Sequence, residues 1–267
     1  VNPVAFTLGS LTVRWYGIAY AVALLVGLEI LRREVDRKGL ELDFNDLIDF
    51  VLVSFPLGLV GARVYYAVFY LDYFRRNPLG LFGFGGGGGF GLSGLAIHGG
   101  LIGGLAGLYI FVKWKGVEFR EFVDALAPAM ILGQAIGRVG NLLNGDAYGY
   151  PTELPWGLVF KSNTAAGQAF PNQSLHPTMV YEMILNLLIF ALLWRLRKGQ
   201  YRSGFIAVVY LITYSVGRSV VSFFRAGSLW VGPIRAAHLI SIIIVVWSVY
   251  YLIRGKLYSP ERKTGGN

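Results

Sequence analysis

Seven runs of mostly apolar residues, at about 15–31, 47–70, 95–112, 122–144, 177–194, 204–225 and 237–253, restrict what this chain can fold into. An α-helix rises 1.5 Å per residue, so roughly twenty apolar residues cross the ~30 Å hydrocarbon layer of a bilayer. Composition agrees: 55% of residues are hydrophobic, only 15% are charged, and the mean hydropathy is +0.54. A soluble domain of this size carries about 25% charged residues. The expected fold class is therefore an all-α polytopic membrane protein with about seven transmembrane helices. It is read as a single transmembrane domain over 1–267, with external segments at about 71–94 and 145–176. The second of these contains Pro151, Pro155 and Pro171 and is expected to form a small external cap.

The net charge of +9 would suggest nucleic acid in a soluble chain, but here the positive charges set topology. One set of loops holds Arg32, Arg33, Arg37, Lys38, Lys113, Lys115, Arg120, Arg195, Arg197, Lys198, Arg202, Arg254, Lys256, Arg262 and Lys263. The opposite set holds only Arg14, Arg75, Arg76, Lys161 and Arg235. Cytoplasmic loops are enriched in Lys and Arg. The N-terminus is thus expected outside and the C-terminus in the cytoplasm. No nucleic-acid partner is expected. The first apolar run has its basic flank after it, so no signal peptide is expected.

Cysteine is absent, which excludes disulfides, a thiolate nucleophile and a Cys-based metal centre in this chain. Three histidines without a tight cluster of ligands give no reason to expect a metal. The segment 83-GFGGGGGFG-91 matches a phosphate-loop pattern only trivially, because it follows no strand and lacks a Lys-Ser/Thr pair. It reads as a flexible external loop, and no cofactor is expected.

The remaining basic residues, Arg63, Arg138, Arg218 and Arg225, lie inside the spans. Charge in a span costs roughly 2.5–3.5 kcal/mol on insertion scales, so it is rare without a partner or a polar cavity. With the orientation above, these arginines, His98 and Glu182 all fall in the outer half of the bilayer. Glu29, Asp49 and Asp124 fall near inner ends and read as anchors or helix-end charges. Guanidinium groups bind phosphate as planar forks and keep their charge. The anion most available at that depth is a phospholipid headgroup. Asn141 follows Arg138 by three residues and shares its helix face, with Asn144 and Asp146 just beyond. Gly99, Gly103 and Gly107 recur every four residues, as do Ala129, Gly133 and Gly137, and both rows read as helix-packing faces. His98 and His176 read singly as structural groups, although His98 beside an arginine cluster could act as an acid or base.

Six segments, in order, carry a resemblance over nearly the whole chain: 15-WYGIAY-20, 61-GARVYY-66, 97-IHGGLIGG-104, 137-GRVGNLLNGDAYG-149, 176-HPTMVYE-182 and 217-GRSVVSFFR-225. The chain resembles the prolipoprotein diacylglyceryl transferases, bacterial membrane enzymes that begin lipoprotein lipidation. The resemblance implies transfer of a diacylglyceryl group from phosphatidylglycerol to the lipobox cysteine of a prolipoprotein signal peptide, with release of glycerol phosphate. It carries over Tyr16, His98, Arg138, Asn141, Gly149 and Arg218. Arg138 and Arg218 would hold the phosphate, Asn141 would orient the headgroup, and His98 or a neighbouring base would deprotonate the thiol. Asn144, Asp146, Gly149, Arg63, Glu182 and Arg225 are the further candidates for substrate binding. The implied location is the bacterial cytoplasmic (inner) membrane, with the site towards the outer leaflet and membrane lipids as neighbours.

Three departures accompany the match. Asp146 stands where the family usually has Glu, Ser222 stands where it commonly has Glu, and 234-IRAAHLIS-241 replaces a Gly-Gln pair. The acid could be Asp146, Glu182 or neither. The main competing reading is a lipid or anion transporter with an arginine-lined outer cavity. The last span has no lysine for a Schiff base, which counts against a retinal protein.

Overall fold

The structure, a computed structural model, describes residues 4–9, 11–78, 80 and 96–260. The elements in chain order are β1 (Val4–Leu8), β2 (Leu11–Arg14), α1 (Trp15–Lys38), α2 (Phe44–Phe69), α3 (Leu71–Arg76), α4 (Ile97–Lys115), α5 (Phe119–Asn144), β3 (Leu158–Val159), α6 (Ala165–Ala169), β4 (Ser174–Leu175), α7 (Thr178–Leu196), α8 (Phe205–Ser222), β5 (Trp230–Val231), β6 (Ile234–Arg235) and α9 (Ala236–Arg254). Among the described residues, seven helices are long and apolar enough to cross a membrane: α1, α2, α4, α5, α7, α8 and α9. The expected fold class holds. Among the described residues, three antiparallel strand pairs, β1–β2, β3–β4 and β5–β6, add small sheets that hydropathy alone does not predict.

Helix ends depart from the hydropathy reading for local reasons. Helix α1 continues through Arg32, Arg33 and Arg37 to Lys38, where basic side chains suit a helix C-terminus. Helix α8 stops at Ser222, three residues before the expected end, so Arg225 lies in the following turn and not on the helix. The glycine loop 83–91 lies outside the described residues.

The chain divides into two compact units, 1–34 with 123–267 and 35–122, with the boundaries inside α1 and α5. In the 35–122 unit, α2 starts with a reciprocal cap. The Asp43 carboxylate accepts from the Asp46 N–H and the Asp46 carboxylate accepts from the Asp43 N–H, both at 2.8 Å. Gly99, Gly103 and Gly107 of α4 press directly on the α2 backbone, and a Cβ at Gly107 would sit 2.6 Å from the Ser54 Cα. The glycine row thus packs helices, as its spacing predicts. Lys115 at the end of α4 donates to Asp46 at 2.6 Å and to Asp49 at 2.7 Å, which makes Asp49 the expected end anchor.

In the larger unit, Asp124 of α5 caps a different helix. Its carboxylate accepts from the backbone N–H of Gly204 and of Ala207, each at 2.8 Å. Helix α8 begins at a glycine with no side chain to cap it, so a buried carboxylate from α5 fills that role. Such caps contribute about 1 kcal/mol. Glu34 pairs with Arg197, whose guanidinium also lies 3.2 Å from the Trp194 ring centre. The second small-residue row behaves differently from the first. Ala129 is buried and Gly133 approaches Ala23, but among the described residues nothing outside its own helix backbone lies within 4 Å of a Cβ built at Gly137. Among the described residues, no packing contact therefore explains Gly137.

The 145–176 segment folds over the ends of α5 and α7. Phe160, Ala166, Leu175 and Met179 form a buried cluster, with Leu142, Tyr148, Leu158, Phe170 and Val180 packed around it.

Candidate active site

The site in the larger unit grows from three helices and one turn. Glu182 lies in the second turn of α7, and its side chain is only 5% exposed. An isolated carboxylate there would be strongly unfavourable. Three arginines from different places reach it. Arg138 of α5 pairs with Oε2, Arg218 of α8 donates to Oε1 at 3.0 Å, and Arg225 in the turn after α8 donates to Oε1 at 3.1 Å. The three guanidinium groups remain 19–25% exposed. Glutamate is thus the buried hub and the arginines are its accessible rim.

From Arg138 the network continues towards the helix end. Arg138 Nη1 donates to Asn141 Oδ1 at 3.0 Å. Asn141 Nδ2 donates to Asp146 Oδ1 at 2.5 Å, and Asn144 Nδ2 donates to Asp146 Oδ2 at 2.6 Å. Chemistry fixes this polarity, because a guanidinium only donates and an ionised carboxylate only accepts. The Asn141 amide can serve both neighbours in just one orientation. Asp146 therefore touches the two asparagine amides. Its action on Arg138 passes through Asn141.

Two glycines let this arrangement form. Gly145 ends α5 with φ 68°, the left-handed conformation that glycine adopts without strain. Gly149 lies where three strands of backbone meet. Its N–H donates to the His176 carbonyl at 3.0 Å, while the next N–H, of Tyr150, donates to the Phe224 carbonyl at 2.9 Å. A Cβ at Gly149 would sit 2.6 Å from both the His176 Cβ and the Phe224 carbonyl oxygen. Gly149 thus ties the loop carrying Asp146 to the approach of α7 and to the turn carrying Arg225. His176 has structural surroundings, with Nδ1 3.2 Å from the Tyr181 hydroxyl and its ring against Phe224.

Tyr16 reaches this region from the first turn of α1. A Cβ at Gly140 of α5 would lie 3.0 Å from the Tyr16 ring, so the ring packs on a helix face left bare by glycine. The Tyr16 hydroxyl accepts from Tyr20 at 2.8 Å. Ser222, at the end of α8, is fully buried, and its hydroxyl has no hydrogen-bond partner among the described residues.

Arg63 and His98 belong to the 35–122 unit. Arg63 donates to the Gly80 carbonyl and lies 5.2 Å from the Phe74 ring centre and 6.0 Å from that of Tyr66. Those contacts tie α2 to the segment after α3. His98 is exposed in the first turn of α4, with its ring centre 5.9 Å from that of Tyr65. Among the described residues, no group of three or more His, Asp or Glu could hold a metal ion.

The shared counter-ion is the feature that sequence reasoning missed. Glu182 was one of several possible acids, but its charge is committed to three arginines. The available signal was the presence of one acid amid several intramembrane arginines at a similar depth. Each arginine spends few of its five N–H groups within the cluster, and Arg138 Nε has no hydrogen-bond partner among the described residues. Such a cluster can take up a multiply charged oxyanion.

Fold and site together define a multi-pass helical membrane protein with an arginine cluster suited to an anion. Comparison with known sequences is specific. The family described as Prolipoprotein diacylglyceryl transferase matches residues 3–254. A phosphatidylglycerol–prolipoprotein diacylglyceryl transferase of Clostridioides difficile (strain 630) is 39% identical over 249 residues, covering 93% of each chain. One from Clostridium botulinum (strain Langeland) is 36% identical, covering 94% of this chain and 96% of the relative. One from Fusobacterium nucleatum is 35% identical, covering 94% and 97%. This chain belongs to the prolipoprotein diacylglyceryl transferase family. Membership in a transferase family disfavours the transporter reading.

Proposed function

We propose that this protein transfers the diacylglyceryl group of phosphatidylglycerol to the lipobox cysteine thiol of prolipoproteins in the bacterial cytoplasmic membrane. The observation that carries this reading is the convergence of Arg138, Arg218 and Arg225 on buried Glu182 in a member of this family. The thiolate sulfur attacks the glycerol carbon that bears the phosphate. A carbon–sulfur bond forms as the carbon–oxygen bond breaks, and the bonding pair leaves with glycerol phosphate. The thiol proton passes to a base, His98 or a neighbouring group.

The leaving phosphate gains negative charge in the transition state. Arg138 and Arg218 would offer fixed donors to that charge in a site shielded from bulk water, where such interactions act most strongly. Glu182 would hold the guanidinium groups in place before lipid arrives. Asn141 would orient the headgroup while Asp146 and Asn144 lock its amide. Tyr16 would join the catalytic set, and Gly149, Arg63 and Arg225 would join the substrate-binding set. Purified protein mixed with phosphatidylglycerol vesicles and a lipobox peptide should yield a peptide heavier by one diacylglyceryl group, and a Cys→Ser peptide should yield none. An unmodified cysteine peptide would refute the activity.

The site is proposed to face the outer leaflet, on the basic-residue bias of the loops. The cysteine-free chain makes this simple to test. Cysteines introduced at exposed Asn163 and Gln200 should be labelled by an impermeant maleimide in intact cells only at position 163. Labelling only at position 200 would invert the orientation.

A further inference from the structure

A second polar layer lies one helical turn from the charged one. Helix α7 pairs Glu182 with Arg218 of α8, and four residues further along α7 stands Asn186. Tyr214 stands four residues before Arg218 on α8. Asn186 and Tyr214 line the same recess as Glu182 and Arg218, each one helical turn further from the charged layer along its own helix. Leu185 and Ile189 supply apolar wall, and the recess has room for a water-sized group. On the α5 side, Gln134, one turn before Arg138, donates to the Tyr210 hydroxyl at 2.8 Å.

Asn186 is the unexplained member. It is 2% exposed, and its Nδ2 has no acceptor among the described residues. A buried N–H without an acceptor is costly, and such a group in a native structure calls for an explanation. An amide nitrogen only donates, so whatever meets it must present an acceptor oxygen. The neighbouring layer is the one proposed to hold the lipid phosphate. In a diacyl phospholipid, the ester carbonyls lie a few bonds along the glycerol from the phosphate, on the hydrocarbon side. One helical turn, about 5.4 Å, is the matching scale.

We propose that Asn186 Nδ2 donates to an ester carbonyl of the lipid donor, so that the site selects ester-linked diacylglyceryl over ether-linked dialkylglyceryl groups. This inference rests on the diacylglyceryl transfer proposed above. An ether oxygen at the same position lies out of line and accepts weakly, leaving the buried N–H unmet. Sites built to hydrogen-bond a substrate group discriminate against analogues that lack it.

The test compares two phosphatidylglycerols with equal chain lengths, one diester and one diether, using a lipobox peptide as acceptor. The unaltered protein should show kcat/KM about tenfold lower for the diether. Asn186→Leu should bring the diester down to the diether rate and leave the diether rate unchanged. Should the leucine variant fail to insert, Asn186→Ala, which only removes atoms, takes its place with the same expectation. Equal use of both lipids by the unaltered protein would overturn the inference and reduce the recess to a water site. A variant that keeps the preference, or slows equally on both lipids, would overturn it as well. Transfer from neither lipid by the unaltered protein would instead remove the proposed activity, and this inference with it.

Discussion

Arg138→Lys and Arg218→Lys should each lower diacylglyceryl transfer by a hundredfold or more while the protein still inserts and folds. Lysine keeps the charge but presents a compact ammonium in place of a planar fork. Arg138 uses the fork in two directions, with Nη1 on Asn141 and Nη2 on Glu182. A lysine can neutralise Glu182, but it cannot hold that geometry and also present fixed donors to a phosphate. Losing one fixed donor to developing oxyanion charge costs about 10²–10³ in kcat. The loss should therefore appear in kcat more than in KM. A lysine variant within threefold of the unaltered rate would reduce that arginine to general electrostatics.

Glu182→Gln should affect both stability and activity. The carboxylate is the common partner of three guanidinium groups, and glutamine leaves them facing one another around a neutral amide. Removing one member of a buried ion pair costs about 3–5 kcal/mol, and the partial exposure of the arginines places this case near the lower end. The purified variant should inactivate at markedly lower temperature than the unaltered protein. Inorganic phosphate should recover part of that loss, because an added anion can take the place of the missing carboxylate. Equal thermal stability of variant and unaltered protein would show that the arginines do not depend on Glu182.

The balance between local and long-range information explains what the sequence revealed. The seven spans were legible because each is a local run of apolar residues, and Asn141 was placed with Arg138 because a three-residue step returns to the same helix face. The α4 glycine row was also legible, since small residues every four positions leave a groove for a neighbouring helix. Pairings across helices were not. Nothing in the local sequence says that Glu182 serves Arg138, Arg218 and Arg225 together, or that Asp124 caps a helix that starts eighty residues later. Hydropathy carried the sixth span through Phe223 and Phe224, but the structure breaks the helix there and hands Arg225 to Glu182 from a turn. The contacts of Asp146 with Asn141 and Asn144 were not legible either, because they depend on how the chain turns beyond the end of α5.

If the arginine cluster holds the phosphate, carbon–oxygen bond cleavage releases it as the diacylglyceryl group passes to sulfur. Phosphatidylglycerol labelled with radioactive phosphorus tests it most directly, with a lipobox peptide as acceptor and the products separated after a partial reaction. One labelled glycerol phosphate should be released for each thioether formed, with no label on the peptide. Label retained on the peptide, or lipidated peptide without matching glycerol phosphate, would contradict it.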